Sequence, residues 1–157
     1  MLLEDPFHED DTNAWQKITA LIGDSTSVVG DSLLANNKER LQQALDKKLC
    51  NSILIKPNQV GTISETMEVI QLAKNAKMQV TMSHRSGETT DDLIADLAVG
   101  VGTDYVKFGP PNRGERTVKY NRLLAINAQI KLQNQSAKPT QPTNNAVHNS
   151  AGKPTKT

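Results

Sequence analysis

The strongest constraint on this chain is an alternation. Short runs of β-branched or apolar residues are separated by longer stretches of helical period, with turn and cap residues between them. The strand-like runs are Met1 to Leu3, Ser27 to Gly30, Asn51 to Ile55, Gln79 to Met82 and Asp104 to Val106. Between them, Asp11 or Thr12 is placed to cap a helix through about Ile22, with Ala14, Trp15, Ile18 and Leu21 or Ile22 inward. Asn36 or Asn37 is placed to cap a helix bearing Leu41, Ala44, Leu45 and Leu49. Thr62 and Glu65 have capping-box spacing ahead of a stripe of Met67, Ile70, Leu72 and Ala73. Thr90 caps a helix to about Val99, and a last helix covers roughly residues 114–131. This pattern predicts an α/β fold of five βα units around a parallel sheet.

Each strand-like run ends in an ionisable residue: Glu4, Asp31, Lys56, His84 with Arg85, and Lys107. In parallel α/β sheets and barrels the carboxyl ends of all strands share one face, and sites are built there. A single charge at a strand end is usually just solvated, but five at one face must pair or be organised. Glu4 and Asp31 are hard oxygen donors suited to Mg²⁺. Lys56 and Lys107 suit a base and an electrostatic stabiliser, while Arg85 offers a planar fork for phosphate or carboxylate, with Ser83 and Ser86 as hydroxyl donors. Together they describe a site for a phosphorylated acid held through a divalent ion.

Composition limits the alternatives. A net charge of +1 over 157 residues gives no electrostatic reason to expect nucleic acid. The longest apolar runs, such as ILI at 53–55, are far shorter than a membrane span, and the acidic start is unlike a signal peptide. The expectation is a soluble, cytoplasmic chain. Cys50, the single cysteine, excludes an internal disulfide and reads as a small buried apolar residue. Residues 1–133 hold the core, whereas 134–157, rich in Pro, Asn, Thr and Lys, read as a disordered tail in which His148 is simply solvated. His8, in the stretch DPFHEDD, reads as a surface residue rather than a ligand.

The segments EDPFHEDD (4–11), VVGDSL (28–33), LIKPNQVGTISET (54–66), SHRSGETTDDLIADLAVG (83–100) and VKFGPPNRGERTVKYNRLL (106–124) resemble the carboxyl-terminal part of enolase, phosphopyruvate hydratase, most nearly the divergent enolase-4 type of animals. The resemblance implies the later part of a TIM-like (β/α) barrel and a glycolytic lyase converting 2-phosphoglycerate to phosphoenolpyruvate. By position, Glu4 and Asp31 match two carboxylate ligands of the essential Mg²⁺, and Lys56 matches the base that removes the C2 proton. Lys107 matches the lysine facing the substrate carboxylate. Ser83, His84, Arg85 and Ser86 match the substrate loop, with Arg85 and Ser86 on the phosphate.

Departures from the family pattern add further expectations. The amino-terminal domain and early barrel strands, which carry a third metal carboxylate, the general acid and the lid loops, have no counterpart in these residues. The first strand is therefore expected to be an exposed edge, and the chain to be inactive unless a homodimer or the missing amino-terminal half completes it. Ser32 replaces an aspartate, Phe108 replaces a threonine and is expected to crowd the pocket, and Pro110 and Asn112 alter a turn. A non-catalytic enolase-like binding or structural protein is the alternative reading.

Overall fold

The computed structural model describes residues 1–136; the expected disorder of 137–157, and His148 with it, lies outside the described residues. Five strands form one sheet: β1 (Leu2–Glu4), β2 (Ser27–Gly30), β3 (Ser52–Ile55), β4 (Gln79–Ser83) and β5 (Tyr105–Lys107). They lie side by side in chain order, and every neighbouring pair is parallel. The connections are α1 (Thr12–Ile22), α2 (Lys38–Lys47), a short turn of helix α3 (Pro57–Val60), α4 (Ile63–Asn75) and α5 (Leu93–Gly100), and α6 (Gly114–Ser136) follows β5. The result is a curled half-barrel, as the strand and helix pattern predicted.

The register separates two faces. Val28, Ile53, Ile55, Val80 and Met82 point into a core shared with Trp15, Leu41, Ile70, Ala73, Ala95 and Phe108. On the alternate positions, Val29, Ser52, Leu54, Thr81 and Ser83 are also buried. Strands covered on both faces read as unbroken apolar runs, which is why ILI shows no polar alternation. The outer strands β1 and β5 are partly exposed along their length, so the open edge expected at β1 is joined by a second one at β5.

Local signals explain most boundaries. Asp11 caps α1 by accepting the Ala14 amide at 3.0 Å, and Trp15 is fully buried with its indole N–H on the His8 carbonyl at 3.0 Å. Asn37 caps α2 through the Glu39 and Arg40 amides, both at 2.9 Å, a contact worth about 1 kcal/mol. Pro57 ends β3 and opens α3 at a position where its missing N–H costs nothing. Gly30 closes β2, and a Cβ there would lie 2.9 Å from Leu34 Cγ, so the following turn packs against bare backbone.

Several expectations need correction. The inward face of α4 is Thr66, Val69, Ile70 and Ala73, with Leu72 only partly buried and Met67 41% exposed, because the sheet-facing stripe runs one position round from the one proposed. In α1 Leu21 is exposed, and Ile22 takes the inward position. Leu49 is buried beyond the end of α2 rather than on it. Thr90 does not cap α5, which begins at Leu93 with Asp91 Oδ1 accepting the Leu93 amide at 2.9 Å. Helix α6 runs to Ser136, about five residues past its expected end and three into the segment read as a tail, since the sequence up to there holds no helix breaker. Phe108 does not crowd a pocket. It is fully buried, edge-on to Tyr120 at 6.0 Å, because its neighbour Lys107 takes the concave face and alternation sends Phe108 into the core.

Candidate functional site

The five ionisable strand ends meet in a closed circuit of contacts. Asp5, directly after Glu4, adopts φ 41° and accepts the amides of Asp31 and Ser32 at 2.9 and 2.8 Å, which fixes the exit of β2. Asp31 pairs with the ammonium of Lys56 at the end of β3, and both side chains are largely withdrawn from water. Two residues on, Asn58 Oδ1 accepts the Arg85 guanidinium at 3.2 Å, joining the exits of β3 and β4. The Lys107 carbonyl accepts both the amide and Nδ1 of His84, at 3.0 and 2.7 Å. A carbonyl cannot donate, so Nδ1 of His84 carries a proton, and Nε2 is turned toward Gly109. Lys107 Nζ then grips both carboxylate oxygens of Glu4, at 2.7 and 2.6 Å, and closes the circuit from the last strand back to the first.

The two acid–lysine pairs differ in weight. The Asp31 and Lys56 side chains are 13% and 15% exposed, so removing either partner strands a nearly desolvated charge. Lys107 is about half exposed, and solvent screens its pair with Glu4. Arg85 has no carboxylate on its guanidinium among the described residues, which makes it a cation of this face open to an anion. Ser86 is exposed beside it, whereas Ser83 is buried and its hydroxyl donates to the His84 carbonyl at 3.0 Å. A cleft next to Arg85 is lined by Asn58 and Glu88 and, on its far wall, by Ile63, Leu93 and Ile94.

Four residues that the sequence reading did not assign hold this arrangement. Asp5 and Asn58 act as above. Asn36, buried and at φ 53°, accepts the Lys56 amide at 2.9 Å and donates to the Leu54 carbonyl at 3.1 Å and to Gln59. Glu88 accepts the Arg85 amide at 2.9 Å and pairs with Lys119 of α6 at 2.8 Å. Burial pushes the Glu88 carboxyl up, but the Lys119 bond and charge, with the Arg85 amide, outweigh it and hold the group below the usual carboxylate range. The consecutive Asn36-Asn37 pair was a usable signal, because only one of two asparagines can cap a helix.

A matching family model, the enolase C-terminal TIM barrel domain, covers residues 1–141. The chain belongs to the enolase family. Over 128 residues it is 47% identical to an enolase of Solanum lycopersicum, a match that takes in 82% of this chain and 29% of that relative. The chain thus spans under a third of the length of the curated relative it matches. The family's barrel accounts for the parallel half-barrel.

Enolases are generally magnesium-dependent. Among the described residues no group of three or more metal-ligating side chains occurs. Glu4 and Asp31 are oxygen donors of the kind Mg²⁺ takes, and in this structure Lys107 holds both Glu4 oxygens while Lys56 holds Asp31. Asp5 is already committed to two amides. No described helix is long and apolar enough to cross a membrane.

Proposed function

We propose that this chain carries the proton-abstracting and phosphate-binding side of an enolase site, acting on 2-phosphoglycerate and phosphoenolpyruvate with Mg²⁺ on Glu4 and Asp31. The carrying observation is the closed circuit, in which acid–lysine pairs alternate around one face and leave Arg85 as a cation open to an anion.

The C2 proton of such a substrate is very weakly acidic, because its loss puts further negative charge next to a carboxylate. Lys56 is the base, and it takes a proton only as the neutral amine, so its pair with Asp31 must open first. Lys107 faces the substrate carboxylate and stabilises the charge developing there. Arg85, with Ser86, holds the phosphate through charge-assisted hydrogen bonds. Magnesium, when bound, supplies Lewis-acid stabilisation of the carboxylate oxygens. Glu4, Asp5, Asp31 and Glu88 are all engaged, so none of these four is free to protonate a leaving hydroxyl.

The chain is therefore expected to bind but not to turn over by itself. Calorimetry with Mg²⁺ and 2-phosphoglycerate tests the first part. Arg85→Gln should weaken binding at least about tenfold, the loss of one charge-assisted contact. No heat from the unaltered chain defeats the reading, and steady-state formation of phosphoenolpyruvate by the chain alone defeats the expectation of inactivity.

A further inference from the structure

The segment that carries Arg85 is anchored in an unusual way. Among the described residues, positions 85–91 make no backbone–backbone hydrogen bonds, although they connect β4 to α5. Their anchorage comes instead from Lys119, on α6, the only charged side chain among the described residues that is buried, with no exposure at all. Its ammonium donates to the carbonyls of Thr89 and Asp91, both at 3.0 Å, and of Glu115 at 2.7 Å, and it pairs with Glu88 at 2.8 Å. Glu88 in turn holds the Arg85 amide at 2.9 Å. Burying an ammonium costs several kcal/mol, and this one survives because oxygen atoms surround it. The same requirement forces those oxygens, and the loop they belong to, into a single arrangement.

We propose that Lys119 is a positioning residue for anion binding: through Glu88 it fixes the Arg85 backbone, so the guanidinium meets an incoming phosphate already oriented. This rests on the reading of Arg85 as the phosphate group's partner. Preorganisation saves the cost of ordering the loop at the moment of binding. A purely structural lysine would stabilise the fold without setting the affinity of a group it does not touch.

The test compares the full chain with Lys119→Met, Lys119→Arg, Glu88→Gln and Arg122→Gln. The last breaks the Arg122–Asp96 pair, with bonds of 2.8 and 2.6 Å, which joins the same helices α5 and α6 without touching the loop. Two readouts are taken by NMR: the shift and hydrogen exchange of the Arg85 amide, and the affinity for inorganic phosphate at the Arg85 guanidinium. Lys119→Met should move the amide away from its carboxylate-bonded position and weaken phosphate binding about tenfold, the size of one lost charge-assisted contact. Lys119→Arg should retain most of both, and Arg122→Gln should lower the melting temperature while leaving both unchanged.

An unchanged Arg85 amide and phosphate affinity in a folded Lys119→Met chain overturns the proposal. If that variant does not fold, Glu88→Gln decides, since it leaves Lys119 its three carbonyls and removes only the charged link to Arg85; unaltered readouts there also overturn it. Failure of the unaltered chain to bind phosphate refutes Arg85 as the anion partner, while the amide signature still decides whether Lys119 sets the loop.

Discussion

Replacing Asn36 by alanine removes a side chain that fixes the end of β3. In the native chain its amide joins the Leu54 carbonyl, the Lys56 amide and Gln59. The Leu54 carbonyl is buried, so losing its partner costs about 1–3 kcal/mol. The Lys56 amide is only partly buried, water replaces some of the lost bond, and about 1 kcal/mol is expected. Gln59 is exposed and contributes little. Position 36 also sits at φ 53°, next to Ala35 at φ 45°, and the left-handed region costs alanine about 1 kcal/mol more than asparagine. The sum is about 3–5 kcal/mol. Asn36→Gly separates the parts, because it loses the same bonds without the conformational penalty and should be about 1 kcal/mol less destabilising than Asn36→Ala. Urea unfolding followed by circular dichroism reads both as shifts of the midpoint at constant slope. A loss below about 1 kcal/mol for the alanine variant would refute the assignment of this side chain as the bracket of β3. So would a glycine variant less stable than the alanine one.

Other outcomes follow from single groups. Thr81 Oγ1 is buried with no hydrogen-bond partner among the described residues, so Thr81→Val should leave stability unchanged or raise it by about 1–2 kcal/mol, read by the same unfolding curves. Burial pushes the Cys50 thiol up to about 12, so a disulfide reagent at pH 8 should label the native chain only at its rate of unfolding; fast labelling would show that Cys50 is not enclosed. The Glu88 carboxyl is held low in the folded chain, so its contribution is complete above the ordinary glutamate value of roughly 4.3 and disappears as pH falls through the lower folded value. The stability difference between the native chain and Glu88→Gln should therefore shrink as the pH falls below the ordinary glutamate value, and a difference constant with pH would contradict the pairing with Lys119.

The five strands and the helices between them were legible because their signals are local: apolar period, caps such as Asp11, Asn37 and Thr62, and Pro57 closing a strand. The ionisable strand ends were legible for the same reason, since parallel topology alone carries them to one face. Partnership was not. Nothing near Lys119 in the sequence marks it as buried, because its loop partners Thr89 and Asp91 lie about 30 positions away on a path decided by packing. Phe108 misled for a related reason: its effect depends on which face it turns to, and a shift of one residue along β5 reverses that. Met67 and Thr66 differ by a single helical step, within which an apolar residue can face water and a threonine can be buried with its hydroxyl on the Thr62 carbonyl.

The order of the strands has a consequence for how the chain is made. Because they lie in the sheet in the order in which they are synthesised, each βα unit can dock on its predecessor as it emerges, without waiting for a distant partner. The longest-range hydrogen bond among the described residues is the grip of Lys107 on Glu4, across 103 positions. That contact joins β5 to β1. On this view these five strands add in order, and the ring of charges closes only with the arrival of Lys107.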